Sequence, residues 1–118
     1  MAQDDRFTHE KLQVYVAARE FLGFAHGVVR GLPRGEGELG DQLKRAALSV
    51  LLNTAEGAGR RERRDKAKFF NIARGSALEC AAALDALGVC GHPAPADAAR
   101  GRALLLAIVR MLTPLGRG

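Results

Sequence analysis

The chain has 118 residues, of which 47% are hydrophobic, 26% are charged and 5% are aromatic, and its formal net charge is +5. These proportions are those of one globular domain rather than of a disordered protein. No apolar run approaches the ~20 residues that cross a bilayer, and the acidic start MAQDDRF lacks the apolar core of a secretory signal. We therefore expect a cytoplasmic protein with a single domain over residues 1–118, the first six of which are flexible.

The first predicted helix covers residues 8–32. Apolar residues recur there in alternating steps of three and four, which is the spacing of one helical face. The members of this face are Leu12, Tyr15, Ala18, Leu22, Ala25, Val29 and Leu32. The apolar surface is widened by Val14, Phe21, Phe24 and Val28. The stretch GLPRGEGELG then predicts a connection, because glycine and proline interrupt helices.

A second helix is predicted over residues 38–56. Its inner face comprises Leu39, Leu43, Ala46, Val50 and Asn53. The segment AALSVLLNTA, residues 46–55, is apolar on nearly every side, and such a helix is buried on more than one side. One side of each helix in a bundle of this size normally faces water, so the extra apolar side predicts a subunit interface.

The third predicted helix begins in the basic run after Gly57 and Gly59 and continues to Cys90. Its buried face is predicted to comprise Phe70, Ala73, Ala77, Cys80, Leu84 and Leu87. The break GHPAPAD precedes a fourth helix over residues 97–112, with Asp97 as its N-cap. Four helices with short connections predict an all-α fold, an antiparallel up-down four-helix bundle.

The positive charge of the chain is concentrated in its middle. Residues 44–74 contain nine Lys or Arg and three Asp or Glu, whereas the remaining residues contain nine and ten. The densest part places six cations within nine positions: Arg60, Arg61, Arg63, Arg64, Lys66 and Lys68. Exposed cations at the start of a helix oppose its dipole by ~0.3–1 kcal/mol each. The run therefore indicates a surface for phosphate groups, and the alternative is a solvated helix start.

Cofactor and metal sites have no signature in this sequence. A di-metal site in a four-helix bundle needs Glu-x-x-His motifs on facing helices, and no histidine of this chain has a Glu three residues before it. No nucleophile stands beside a base in the sequence. We expect no metal, no cofactor and no enzymatic activity. Cys80 and Cys90 are expected to be reduced and buried, with a disulfide between them as the alternative.

Several polar residues recur at helical spacing within the second and third predicted helices. They are Arg45, Ser49, Asn53, Glu56, Arg74, Ser76 and Glu79. In a hairpin, Glu79 comes level with Arg45, and Arg74 comes level with Ser49, near Asn53, while Gly75 permits a close approach of the helices. Because buried charges persist only when they are paired, we predict a structural network between the two helices. The alternative is a small binding or catalytic site formed by Asn53, Glu56 and Arg74.

The stretch LGDQLKRAALSVLLNTAEGAGR, followed by FFNIARGSALE, resembles a bacterial four-helix bundle family first noted in intervening sequences of 23S ribosomal RNA genes. Relatives of that family include the accessory protein of diversity-generating retroelements. The positions that match its pattern include Gln42, Leu43, Arg45, Ala46, Ala47, Ser49, Asn53, Ala55, Glu56, Gly57, Gly59, Arg60, Phe69, Ile72, Ala73, Gly75, Ser76 and Glu79. The chain departs from it at Leu51, where proline is common, at Glu62, where a small N-cap is common, and at Lys66, where Phe is common.

The resemblance implies a homopentameric ring of antiparallel bundles. For the retroelement relative it implies nucleic-acid binding through a basic surface and association with a reverse transcriptase, and it implies no catalytic residue. The leading hypothesis is therefore a non-catalytic oligomer that binds RNA or DNA phosphates through the basic run, with little sequence specificity. The alternative is a protein-interaction scaffold that docks an acidic protein or a polymerase-type partner on the same surface.

Overall fold

The computed structural model describes residues 3–118, so Met1 and Ala2 of the predicted flexible N-terminus lie outside the described residues. Four α-helices make up most of the chain: α1 (Gln13–Arg30), α2 (Gly37–Gly59), α3 (Arg63–Val89) and α4 (Pro95–Leu115). Two short 3-10 helices, Thr8–Lys11 and Arg34–Glu36, precede α1 and α2. Residues 3–118 contain no strand, which confirms the predicted all-α class.

The helices pack as a closed four-membered bundle. α1 contacts α2, α2 contacts α3, α3 contacts α4, and α4 returns to contact α1. The largest side chains at the centre are Phe21, Leu43, Val50, Leu87, Ile108 and Leu112, all fully buried. Alanines from α1, α2 and α3 share this core and let the helix backbones approach closely. None of the helices within residues 3–118 combines the length and the apolar character that a bilayer crossing requires.

The predicted buried face is confirmed completely for α3 and only in part for α1. All six residues predicted for the buried face of α3 are buried. In α1 the buried residues are Val14, Ala18, Phe21, Phe24 and Ala25. Leu12, Tyr15, Leu22, Val29 and Leu32 are only half-buried. The core face of α1 is rotated toward its aromatic residues because these fill the space between α1 and the neighbouring helices.

The ends of two helices differ from the sequence-based prediction. α2 continues through Gly57 to Gly59 instead of ending at Glu56. The predicted N-cap Asp97 is wrong, because α4 begins at Pro95 with Ala94 as its N-cap, and Asp97 lies inside the first turn. Proline suits the first helical position, since its missing N–H has no helical partner there and its φ is already helical.

Close approach between helices depends on glycines other than Gly75. A Cβ placed on Gly101 of α4 would lie 2.5 Å from the Phe24 ring and 3.0 Å from Leu84. Gly75 is exposed and a Cβ there would have no neighbour within 4 Å, so its predicted role in close packing is wrong. The reason is the helical phase: Ala73 and Ala77 face the core, and Gly75 lies on the outer side of α3.

Candidate nucleic-acid interface

The basic run lies at the turn that joins α2 to α3. Gly59 ends α2 and Arg63 begins α3, so three residues make the connection. Gly57 allows the two helices to meet tightly just before this turn. A Cβ at Gly57 would lie 3.0 Å from the Phe70 ring and 3.2 Å from the Lys66 carbonyl oxygen. The turn is therefore held against the first residues of α3, which fixes the position of the basic run on the bundle.

Lys66 has a structural environment that differs from that of the exposed arginines. Its side chain is half-buried, and its Nζ donates hydrogen bonds to the carbonyl oxygens of Ala58, at 2.9 Å, and Gly57, at 3.4 Å. These carbonyls belong to the last turn of α2, where a helix leaves its acceptors unpaired and carries partial negative charge. Lys66 therefore caps α2. The sequence-based prediction instead places it among the phosphate-binding cations.

Arg60 and Lys68 both lie over one aromatic ring. The Arg60 guanidinium carbon is 4.7 Å from the centroid of the Phe69 ring, and the Lys68 Nζ is 5.6 Å from it. Arg60 also forms an ion pair with Glu56, with Nε and Oε2 3.3 Å apart. Because cations occupy the neighbourhood of the half-buried Phe69 ring, this ring is a poor platform for stacking a nucleic-acid base.

Arg61, Arg63 and Arg64 are exposed at the connection and in the first turn of α3. Glu62 and Asp65 lie between them in sequence, yet within residues 3–118 none of the three arginines forms an ion pair. Glu62 is the N-cap of α3 and its side chain makes no capping hydrogen bond. Three guanidinium groups, each with five N–H donors, are thus presented to solvent at one end of the α2–α3 hairpin.

Part of the predicted polar network lies between α2 and α3. The hydroxyl oxygens of Ser49 and Ser76 are 2.7 Å apart. Asn53 Nδ2 donates to the carbonyl oxygen of Ser49 at 3.0 Å and to its hydroxyl at 3.1 Å. These three side chains are half-buried. They form a hydrogen-bonded cluster that links the two helices one turn or more away from the basic run.

The charged members of the predicted network have other partners. Arg74 Nε donates to the Thr113 hydroxyl at 3.0 Å, so it is directed to α4 rather than to Ser49 and Asn53. Glu79 accepts a hydrogen bond from Gln42 Nε2 at 3.4 Å instead of pairing with Arg45, which is exposed. The predicted pairings of Arg74 and Glu79 are therefore wrong. The reason is the rotation of α3, which turns Arg74 to the side that packs on α4.

The three residues of the alternative site, Asn53, Glu56 and Arg74, each bond to a different partner. Asn53 is bonded to Ser49, Glu56 to Arg60, and Arg74 to Thr113. The hydrogen bonds therefore do not direct these groups at a common point. Sequence analysis missed Thr113 because its role depends on the register of α4 against α3, for which a single sequence carries no signal.

The cysteines and the acidic residues also bear on the chemistry of the protein. Both cysteines are free thiols; Cys80 is buried as predicted, whereas Cys90 is exposed, so that part of the prediction is wrong. Burial, with a smaller contribution from the nearby Glu79 carboxylate, raises the pKa of the Cys80 thiol to about 12.

No group of three or more His, Cys, Asp or Glu within residues 3–118 could hold a metal ion.

A comparison with known protein families finds a match over most of the chain. The sequence model described as 23S rRNA-intervening sequence protein matches residues 10–114, which include all four helices except the last residue of α4. The chain belongs to the 23S rRNA-intervening sequence protein family. None of the curated proteins compared with the chain matches it.

The α2–α3 contact lies within the residues that match the family model. Ser49, Asn53 and Ser76 make the hydrogen-bonded cluster, and Gly57 makes the close approach at the turn. Lys66 supplies a cation to the end of α2. Packing and hydrogen bonding therefore account for Ser49, Asn53, Gly57, Lys66 and Ser76, whereas the side chains of Arg61, Arg63 and Arg64 are exposed.

Proposed function

We propose that this protein is a non-catalytic homo-oligomer that binds nucleic acid phosphates with low sequence specificity. The observation that carries the proposal is the exposure of Arg61, Arg63 and Arg64 at one end of the hairpin without an ion-pair partner in residues 3–118. Arg60 and Lys68 flank them beside Phe69. Guanidinium groups bind phosphate oxygens with paired hydrogen bonds, which favours the phosphate backbone as ligand.

We expect low sequence specificity because this surface lacks groups that recognise individual bases. Sequence is recognised by contacts to base edges or by stacking of bases on aromatic side chains. Phe69 is the aromatic residue beside the arginines, and it is half-buried and associated with Arg60 and Lys68. The remaining groups are long cationic side chains that contact phosphates in any sequence. We therefore expect RNA and DNA of unrelated sequence to bind with similar affinity.

The proposed assembly is a homo-oligomer of up-down bundles, a pentamer by the family resemblance. Antiparallel packing is supported by the order of contacts, since Gln42 meets Glu79, Ser49 meets Ser76, and Gly57 adjoins Phe70. Oligomerisation is supported by exposed leucines on the outer face of α2. Several copies of a weak phosphate-binding turn on one particle raise the overall affinity through avidity.

The test is a salt titration of fluorescence anisotropy with short labelled RNA and duplex DNA. Wild type is compared with Arg61/Arg63/Arg64→Ala and with a matched control, Arg19/Arg30/Arg34→Ala, which removes three exposed arginines elsewhere. We expect the first variant to lose binding and the control to retain most of it. For wild type, log K should fall with log salt by about 0.9 per phosphate neutralised on duplex DNA.

Two results would contradict the proposal. If wild type binds neither nucleic acid at low salt, the surface has another ligand, and an acidic protein or polymerase-type partner becomes the leading candidate. If the two triple variants lose affinity equally, net charge rather than the α2–α3 turn determines binding. Light scattering and circular dichroism of each variant establish that folding and assembly are unchanged.

A further inference from the structure

Two exposed apolar surfaces lie on different helices of the bundle. The first is the outer face of α2, where Leu48 and Leu52 are 44% and 56% exposed. The second is a groove of about 270 Å³ between α3 and α4, where Leu78 and Leu106 are 47% and 41% exposed. Contiguous exposed apolar patches, unlike single exposed residues, are typical of interaction sites.

The groove has a mainly apolar lining that can accept apolar side chains of a partner helix. Leu84, Leu105 and Val109 also line it, and they are buried or half-buried. Leucine side chains projecting from a helix have the size and the apolar character that this space accepts.

Each apolar surface continues into a pair of opposite charges. On α2, Asp41 and Arg45 precede Leu48 and Leu52 in steps of four and three, which places all four on one side of the helix. In the groove, Asp85 and Arg102 lie beyond the leucines and belong to the same lining. The contact of Leu84 with Gly101 places Asp85 and Arg102 at the same level of the bundle.

These four charges are available to a partner. All four side chains are exposed, and within residues 3–118 none of them forms an ion pair. Each surface therefore has two leucines followed by one anion and one cation. The charges match when Arg45 faces Asp85 and Asp41 faces Arg102, because each cation then meets an anion. Charge complementarity of this type sets the register of an interface.

We propose that the outer face of α2 in one copy docks into the α3–α4 groove of a second copy. Leu48 and Leu52 would pack against Leu78 and Leu106, with the two charge pairs beside them. The surfaces share no residue, so the contact is head-to-tail, and repetition of such a contact closes a ring or extends a filament. This inference rests on the homo-oligomer of the proposed function and adds the two surfaces that meet.

The decisive experiment uses two variants that each lose one surface. Leu48→Asp/Leu52→Asp removes the α2 face, and Leu78→Asp/Leu106→Asp removes the groove. In light scattering we expect each variant to be monomeric alone. An equimolar mixture should form a one-to-one heterodimer and nothing larger, because only one intact pair of surfaces remains. Val16→Asp/Val89→Asp, which places the same charges at other exposed apolar positions, should assemble like wild type.

The outcomes separate this contact from other arrangements. If the groove variant still dimerises alone, α2 pairs with α2 and the proposal is wrong. If both variants assemble like wild type, neither surface is an interface. If each variant is monomeric and folded by circular dichroism but the mixture also remains monomeric, the two surfaces do not meet. Binding of an apolar small molecule to the groove of assembled wild type would likewise overturn it.

Reversing single charges tests the register of α2 in the groove of the second copy. Arg45→Glu should weaken assembly about tenfold, and Arg45→Glu combined with Asp85→Arg in the same chain should restore it. No restoration would overturn the assigned register. RNA binding is measured in parallel on wild type. A monomeric wild type that binds RNA contradicts the contact and leaves phosphate binding intact. An assembled wild type with this contact that binds no RNA contradicts only the nucleic-acid function.

Discussion

The ammonium nitrogen of Lys66 lies 2.9 Å from the carbonyl oxygen of Ala58, and this contact ties the start of α3 to the end of α2. A cation at the start of its own helix opposes the dipole of that helix, whereas the same cation at the end of another helix is favourable. Lys66 reaches across the turn and satisfies α2. The neighbouring Arg63 and Arg64 have no such partner within residues 3–118, so the basic run contains two kinds of cation.

This division predicts that replacing Lys66 affects stability, whereas replacing Arg64 affects RNA binding. Lys66→Met keeps the aliphatic stem and removes the donor, so we expect the free energy of unfolding to fall by about 1–2 kcal/mol. Arg64→Met, the matched control, should change it by less than about 0.5 kcal/mol and should weaken RNA binding. Urea unfolding at equal protein concentration measures the first effect, and fluorescence anisotropy measures the second. A stable Lys66→Met variant with weakened RNA binding would contradict the assignment.

Two glycine-to-alanine changes are expected to have opposite signs. Gly101→Ala places a methyl group 2.5 Å from the Phe24 ring, and overpacking of this kind costs about 1–3 kcal/mol. Gly75→Ala, on the open side of α3, should stabilise the protein by up to about 1 kcal/mol, since alanine favours the helix. Thermal unfolding of both variants at one concentration gives the comparison. Destabilisation by Gly75→Ala would show that a neighbour covers that side of α3.

The sequence predicts the buried face of a helix well only where its apolar residues define a single face. The periodicity of α3 predicts six of its eight buried residues, because that helix has one well-defined core face. In α1 the wider apolar surface leaves the phase open, and the aromatic side chains decide it through packing. The partners of Lys66 and Arg74 in the candidate site could not be predicted for the same reason. Their partners, Ala58 and Thr113, lie on other helices, and helix rotation is fixed only by the assembled core.

The Ser49–Ser76 contact predicts a measurable coupling between α2 and α3. Each serine replaced singly by alanine leaves the other hydroxyl half-buried with one partner fewer, whereas the double replacement removes both groups. We expect a coupling free energy of about 0.5–1.5 kcal/mol in a double-mutant cycle. Urea unfolding of wild type, Ser49→Ala, Ser76→Ala and the double variant measures it. Additive effects would mean that the 2.7 Å contact contributes nothing to stability.

The buried thiol predicts a loss of stability at alkaline pH. In the folded protein the pKa of Cys80 is raised to about 12 by burial, from an ordinary value of 9.0 in the unfolded chain. Below pH 9 the thiol is protonated in both states and adds no pH dependence. Above pH 9 only the unfolded chain releases its proton, so the free energy of unfolding should decrease by up to about 1.4 kcal/mol per pH unit.

This decrease is isolated by comparing wild type with Cys80→Ala from pH 8 to pH 10.5, since other groups titrate equally in both proteins. The difference between their free energies of unfolding should shrink as the pH rises. Cys90→Ala, which removes the exposed thiol, should follow wild type. A thiol reagent should modify Cys90 rapidly and Cys80 only upon unfolding. A parallel pH dependence of wild type and Cys80→Ala, or rapid modification of both cysteines in the native protein, would contradict the burial of Cys80 in the core.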